Sequence, residues 1–344
     1  MNLELTAEQR ALVADVEAFA AAWRPLKGRE GACLSALHDR GWSAPGWPKP
    51  WGGGLAPDQA YLVERALTLA GLPLLDSSTL LQVGPLLLLL ADEALCQRFL
   101  PAMGAGRARW SLHGSLMGAT PLPGRLRGDQ VQLDAERILA LAAAQATTLA
   151  LAVRDGRETG LVVADLDPAA VQANQPLDPD TVFLSGLDFE VLATTRTHPA
   201  LTAALNGETW VEAGCWTGRL RSQYDRLCET TEEGSDERVA LAAMGVTLSG
   251  LEVLEQRAVL SADRTLRRAV ALRAAELGRA LSEAALEQLG YYALPSVEPS
   301  QAHNELPTQA LAARGAMAEL IRYLDADPST SRNDLARRLE LTGE

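Results

Sequence analysis

The sequence predicts a mainly α-helical chain with a β-domain in the middle. Apolar residues recur at helical spacing up to about residue 105, form short strand-like runs from Trp110 onward, and return to helical spacing at Asp236. A loop rich in Trp, Pro and Gly interrupts the first helical region. We therefore expect an amino-terminal helical domain at residues 1–108, a middle β-domain at 109–200 and a carboxy-terminal helical bundle at 201–344.

The composition is that of a folded protein with an acidic surface. Of the 344 residues, 47% are hydrophobic and 22% charged, and 44 acidic against 31 basic residues give a net charge of −13. This charge disfavours nucleic acid and anionic membranes as partners. The longest apolar run, residues 83–91, is shorter than the ~20 residues of a membrane span.

The four cysteines are scattered, and the amino terminus carries no export signal. We therefore expect a cytoplasmic protein with reduced thiols and no metal site.

Five helices are predicted in the amino-terminal domain. Thr6 can cap the first, which ends before Pro25, and the second covers roughly residues 32–40. Pro57 suits the first position of the third helix, and Gly71 ends it. Two more are expected at residues 80–90 and 92–105.

The loop between the second and third helices is the most specific stretch of the sequence. It reads GWSAPGWPKPWGGG, so large apolar rings alternate with turn-forming residues, and a loop this apolar must be packed. It resembles the acyl-CoA dehydrogenase family, in which a helix ending in Gly-Trp is followed by Pro, Trp-Pro-Lys, an aromatic residue and Gly-Gly. The matching residues here are Gly41-Trp42, Pro45, Trp47-Pro48-Lys49, Trp51 and Gly52-Gly53.

The resemblance extends over the rest of the chain. Short strand-like runs between residues 131 and 192 are similar to the family's small β-barrel, although the alanine run at 142–150 equally suits a helix. Gly290 to Pro295 and Asn304 to Pro307 resemble family members that act on bulky acyl groups, as in fatty-acid or steroid degradation. The resemblance implies a helical amino-terminal domain, a small β-barrel and a carboxy-terminal four-helix bundle.

The resemblance also implies where FAD would bind. The family's cradle reads roughly Trp-Cys-x-x-x-Ser-Glu-x-x-Ala-Gly-Ser-Asp, and the cofactor-binding residues that the resemblance implies in this chain are Trp110, Ser115, Gly118 and Ala119. The acidic, Gly, Ser and Asp positions have become Leu116, Thr120, Pro121 and Leu122, and a proline removes a backbone N–H donor.

Further flavin contacts of the family are missing from the sequence. Its Trp-Thr-Ser strand falls near Leu139-Ala140-Leu141, and its Arg-x-x-Phe-Gly-x-Pro segment has no counterpart. We therefore expect FAD to be bound weakly or shared with a partner subunit.

Two carboxylates are candidates for the catalytic base. The family's glutamate follows an aromatic residue ahead of the last helix, and Asp325, in the segment from Tyr323 to Asp327, is the carboxylate nominated there, although it is one methylene shorter. Glu305 is the alternative, on the loop that resembles the family's substrate-side segment.

Two functions remain open at this stage. One is a non-catalytic or partner-dependent subunit of a flavin-dependent acyl-CoA α,β-dehydrogenase, paired with an intact paralogue. The alternative is an active FAD-dependent acyl-CoA dehydrogenase on its own.

The carboxy-terminal helices have more apolar surface than a short bundle can bury, at Leu248, Leu251, Leu254 and the apolar positions of 266–289. We therefore expect a homo- or hetero-oligomer through this domain.

Overall fold

The computed structural model describes residues 4–24, 28–75, 78–90, 93–112, 120–128, 130–134, 138–141, 146–167, 181–184, 187–199, 201 and 215–289. The helices are Ala7–Ala22 (α1), Glu30–Asp39 (α2), Pro57–Leu69 (α3), Gly84–Leu90 (α4), Glu93–Gly104 (α5), Trp216–Thr230 (α6), Asp236–Leu260 (α7) and Arg264–Leu289 (α8), with a π-helix at Ser78–Val83. The strands are Trp110–Leu112 (β1), Leu122–Arg127 (β2), Gln130–Leu133 (β3), Ile138–Leu141 (β4), Thr148–Asp155 (β5), Glu158–Asp165 (β6), Thr181–Leu184 (β7) and Glu190–Thr194 (β8). The predicted order of helices, strands and helices is confirmed.

The chain forms two compact units that do not follow the order of the sequence. One unit contains α1, α3 and the helices α6 to α8, and the other contains α2, α4, α5 and the strands. In the first unit, α3 contacts α1, α6 and α7. The helices predicted as one amino-terminal domain are therefore divided between the two units.

Helix α1 begins at the residue that the sequence nominates as its cap. The Thr6 hydroxyl accepts a hydrogen bond from the Gln9 N–H at 3.1 Å, and the Gln9 side-chain oxygen accepts one from the Thr6 N–H at 2.9 Å. This reciprocal pair satisfies two N–H groups at the helix start that would otherwise lack partners. Val16, Phe19 and Ala20 form its buried face.

The Trp-rich loop is packed, as the sequence predicts. Trp47 is 4% exposed, and its Nε1 donates to the Leu80 carbonyl at 3.2 Å. A Cβ atom on Gly84 would lie 1.9 Å from Cζ2 of Trp47, and one on Gly52 would lie 2.6 Å from the Trp47 Cβ. These glycines leave the space that the indole occupies, which explains why rings and glycines alternate along the loop.

Five strands close into a small barrel. They are hydrogen-bonded in the order β2-β3-β8-β6-β5, and a further pairing of β2 with β5 closes the ring. Strand β5 pairs with β1 over Thr148 to Ala150 and with β2 at Val153 and Arg154, so β1, β4 and β7 continue the sheet outside the ring. Residues 148–150 of the alanine run are therefore strand. The barrel core contains Ala146, Leu149, Leu151, Val153, Val162 and Leu166.

Helices α6, α7 and α8 share one apolar core. Arg221 on α6 donates to both oxygens of Glu252 on α7, at 3.0 and 2.8 Å. Leu248 and Leu251 are 0% and 5% exposed in this core, so they do not offer the oligomer surface predicted for them, whereas Leu254 is 40% exposed. They are buried because α6 and α8 both pack on α7. The last helices predicted from the sequence lie outside the described residues.

Among the described helices, α7 is the one long and apolar enough to cross a membrane, judged by length and composition. A core helix of a soluble protein can pass the same test. One face of α7 is in the bundle core, and the other carries exposed valines.

Candidate functional site

Trp110 is the one predicted site residue that lies within the described ranges. It begins β1, is 3% exposed and meets the Phe99 ring edge-on, with centroids 5.2 Å apart and planes at 80°. Its buried Nε1 has no hydrogen-bond partner among the described residues. The other predicted site residues lie outside those ranges: Ser115, Gly118, Ala119, Glu305 and Asp325.

The fold brings together two stretches that the resemblance assigns to the flavin. Strand β1, which leads from Trp110 into the cradle segment, pairs antiparallel with β4, with Leu112 opposite Leu141. Strand β4 is the place where the family's Trp-Thr-Ser falls, and it pairs on its other side with β7. The two strands that the resemblance links to the flavin are therefore neighbours in the sheet.

The residues of β4 at the positions that the resemblance assigns to the flavin are aliphatic. The positions that would stack on and hydrogen-bond the flavin are Leu139, Ala140 and Leu141, which have neither an aromatic ring nor a hydroxyl group. Pro121, just ahead of β2, cannot donate a backbone hydrogen bond. Strand β4 therefore carries neither of the side-chain contacts that the resemblance assigns to it.

A buried polar cluster in the helical unit was not predicted from the sequence. Glu255 on α7 is 3% exposed, and its carboxyl accepts hydrogen bonds from the Trp216 N–H at 2.8 Å, the Thr217 N–H at 3.3 Å and the Thr217 hydroxyl at 2.5 Å. Glu64 on α3 accepts one from the Cys215 N–H at 3.0 Å. Two carboxyls from two other helices thus satisfy the first N–H groups of α6, which no intrahelical carbonyl can reach.

The buried environment of this cluster favours the protonated, neutral forms of its two carboxyls and its thiol. Burial is the main cause that raises the pKa of Glu64, opposed by nearby Arg219 and the Cys215 N–H. Burial also raises the pKa of Glu255, against the hydrogen bonds from Thr217 and Trp216. The pKa of the Cys215 thiol lies well above its usual value because of burial and the two carboxyls. A thiol that stays protonated is a poor nucleophile, so the cluster serves as a helix cap.

A pattern in the sequence could have revealed both carboxyls. Glu255 continues the helical period of the buried face of α7, and Glu64 lies within the buried run of α3. A charged residue at a core position of an amphipathic helix predicts a buried polar partner. Within the ranges that the structure describes, no group of three His, Cys, Asp or Glu residues could hold a metal ion.

Comparison with known proteins identifies the fold. No family model matches the sequence, and no curated protein is similar to it. The solved "Tcur3481-Tcur3483 steroid ACAD" matches with a TM-score of 0.67 and 16% identity, over 100% of both chains. The ChsE4-ChsE5 complex from Mycobacterium tuberculosis matches with a TM-score of 0.68 and 16% identity, and the FAD complex of PigA with 0.65 and 14%, each over 100% of both chains. The chain therefore has the acyl-CoA dehydrogenase fold, and the resemblance predicted from the sequence is confirmed at that level.

Proposed function

We propose that this chain is a non-catalytic or partner-dependent subunit of a flavin-dependent acyl-CoA α,β-dehydrogenase. The observation that carries this proposal is the composition of β4. The strand lies next to β1, where the fold calls for flavin contacts, yet it carries Leu139-Ala140-Leu141. Because function depends on the residues of a site rather than on the fold, a chain that keeps the fold and lacks these groups is better suited to support a partner's chemistry than to hold the flavin alone.

An intact paralogue would supply the missing chemistry. Two of the similar solved structures are named as pairs of proteins, Tcur3481-Tcur3483 and ChsE4-ChsE5, and the first is called a steroid ACAD. By this analogy the chain would pair with a paralogue in the cytoplasm, share its FAD and contribute to the oxidation of a bulky acyl-CoA.

The alternative is an active FAD-dependent acyl-CoA dehydrogenase that works alone. The cradle positions that still match the family favour it, and the buried Nε1 of Trp110 leaves one donor available. In that case either Asp325 or Glu305 would act as the base.

A titration with FAD separates these functions. The chain is purified alone and with a co-expressed paralogue, FAD binding is followed by fluorescence, and turnover is assayed with a panel of acyl-CoAs and an artificial electron acceptor. We expect no stoichiometric FAD and no turnover for the chain alone, and both for the co-expressed pair.

A variant that restores the missing flavin contacts tests the proposal by a gain in FAD affinity. The triple variant L139W/A140T/L141S restores one ring and two hydroxyls on β4. Each new hydrogen bond is worth about 0.5–1.5 kcal/mol, so FAD should bind roughly 10- to 100-fold more tightly than to the unaltered chain.

Stoichiometric FAD and turnover in the unaltered chain would contradict the proposal. Loss of that turnover in Asp325→Asn would identify Asp325 as the base, and its loss in Glu305→Gln would assign that role to Glu305.

A further inference from the structure

The start of α6 is held in place by carboxyls from two other helices. Glu64 reaches it from α3 and Glu255 from α7, and the two residues are 8% and 3% exposed. The chain enters this helical unit at Gly214, one residue before the capping residue Cys215. The two carboxyls therefore fix the point at which the chain enters the unit, and a change in their charge acts on that point.

The two carboxyls have unequal sets of hydrogen-bond donors. Glu255 accepts from two backbone N–H groups and the Thr217 hydroxyl, whereas the described residues give the Glu64 carboxyl one donor, the Cys215 N–H. The Tyr61 hydroxyl is buried, makes no hydrogen bond with the described residues and has the Cys215 thiol and the Glu255 carboxyl as neighbours. A buried carboxylate is stabilised by each donor, so the charge is favoured on Glu255 and the proton on Glu64.

The surroundings of the pair favour one negative charge rather than two. Burial raises the pKa of Glu64 more than Arg219 lowers it, and the Glu255 carboxyl raises it further. Two ionised carboxyls in one buried place repel each other. The other groups that face the pair are Tyr61 and Arg65 on α3, Cys215 and Arg219 on α6, the apolar Leu5 and Val13 on the side of α1, and Arg267 on α8, which donates to the Val259 carbonyl at 3.5 Å.

We propose that Glu64 and Glu255 share one proton in the folded chain, and that loss of this proton to water opens the first turn of α6. Once both carboxyls are charged, they reach water only if the start of α6 moves away from them. In the open form, water solvates the two carboxylates and the freed N–H groups of Cys215, Trp216 and Thr217. The inference goes beyond the proposed function and does not depend on it.

The direction of the pH effect follows from the two forms. The open form has carboxyls with the ordinary pKa of 4.5, and the closed form binds the shared proton more tightly. The closed form is therefore favoured most below about pH 4.5, and this advantage is lost as the pH rises through the pKa of the closed form.

Hydrogen exchange measures how often this turn opens. The exchange of the full chain is followed by mass spectrometry from about pH 5 to about pH 9, and each rate is divided by the rate of an unfolded peptide at the same pH. One shared proton predicts that the opening of the amides at 215–217 rises about tenfold per pH unit until the pKa of the closed form is passed. Amides of Val270 and Ala274 on α8 report unfolding of the whole unit and should exchange much more slowly. About 1 M urea should speed the α8 amides and leave those at 215–217 unchanged, because a single turn exposes little surface when it opens.

Three variants assign the proton. In Glu64→Gln the opening at 215–217 should no longer change with pH, because the glutamine keeps an acceptor and cannot ionise. In Glu255→Gln the rise should remain but end at a lower pH, since Glu64 then loses its proton without a like charge beside it. The matched control is Glu252→Gln, which removes a carboxyl of α7 that pairs with Arg221 outside the cluster and should keep the tenfold rise. Circular dichroism melts show whether each variant folds.

Four results would overturn the proposal. The first is an opening at 215–217 that does not change with pH in the unaltered chain. The second is a rise of about a hundredfold per pH unit, which would give each carboxyl its own proton. The third is a rise in Glu64→Gln as steep as in the Glu252→Gln control. The fourth is exchange at 215–217 that matches the α8 amides in rate and in response to urea, because proton loss would then unfold the whole unit.

Discussion

At the scale of single residues, Glu255 stabilises the start of a helix that is distant from it in sequence. In Glu255→Ala the Trp216 and Thr217 N–H groups and the Thr217 hydroxyl lose their acceptor in a buried place. We expect a loss of about 3 kcal/mol in the free energy of unfolding, measured with urea at pH 7, since unsatisfied buried groups cost roughly 1–3 kcal/mol each and relaxation recovers part of this. Glu252→Ala, on the same helix, removes only the partly exposed pair with Arg221 and should cost about 1 kcal/mol. Equal losses would contradict this account.

The raised pKa of Glu64 predicts a particular dependence of stability on pH. Because its folded pKa lies above the ordinary carboxyl value of 4.5, the folded state binds this proton more tightly than the unfolded state. The stabilisation that the Glu64 carboxyl gains from this tighter proton binding is complete below about pH 4.5. It is lost as the pH rises through the folded pKa.

The comparison of wild type with Glu64→Gln isolates this effect. The glutamine keeps an acceptor for the Cys215 N–H and cannot ionise. The stability of the wild type relative to this variant should fall with rising pH by up to about 1.4 kcal/mol per pH unit, measured by urea unfolding from pH 4 upward. A difference that is constant, or that grows with pH, would show that Glu64 is ionised in the folded chain.

The same residues show what sequence reasoning can reach at this scale. Thr6 and Trp47 were identified because a cap and a packed ring depend mainly on nearby residues. Glu64 was missed because its partner, Cys215, lies 151 positions away. Only the folded chain shows that a carboxyl on an apolar helix face has a backbone N–H to bind.

At the scale of elements, Gly84 links the Trp-rich loop to the first turn of α4. In Gly84→Ala the new Cβ would overlap the Trp47 ring, which is held by its bond to Leu80. Overpacking of this kind costs about 1–3 kcal/mol or more, so we expect a lower melting temperature and a shifted Trp fluorescence. Gly31→Ala is the control, because a Cβ there meets nothing within 4 Å at the start of α2. It should be neutral or slightly stabilising. A Gly84→Ala protein as stable as this control would contradict the packing.

Most elements were predictable from local pattern, and two strands were not. The helices of the amino-terminal region have clear apolar spacing, and their predicted and observed ranges agree to within a few residues. Strand β1 has only three residues, and β2 reads LPGRLR, with a proline and a glycine. Both exist because they pair with β5, so their formation depends on long-range contacts rather than on their own composition.

At the scale of the whole molecule, an oligomer of the kind expected from the sequence would make stability depend on protein concentration. If unfolding requires dissociation, a tenfold rise in protein concentration adds up to about 1.4 kcal/mol of stability. Calorimetry at about 1 and 100 μM should therefore give a higher melting temperature at the higher concentration. A melting temperature that does not change with concentration would argue against coupled unfolding and dissociation.

The fold class was predictable at this scale, but the grouping of helices was not. The resemblance carried by the Trp-rich loop correctly implied helical regions together with a small barrel. It did not show that α1 and α3 pack in the same unit as α6 to α8, because apolar spacing does not tell which amphipathic helices meet. Which faces meet is decided by shape and by buried groups such as Glu64.

The aliphatic interior of the barrel has a consequence for how this protein could have evolved. Its core is filled by its own side chains, from Ala146 to Leu166, and the ring is closed by backbone hydrogen bonds between β2 and β5. A barrel of this kind folds without a bound group to complete it. If the chain is a subunit of the kind proposed, its aliphatic barrel core would let residues of the neighbouring strands change without loss of the architecture.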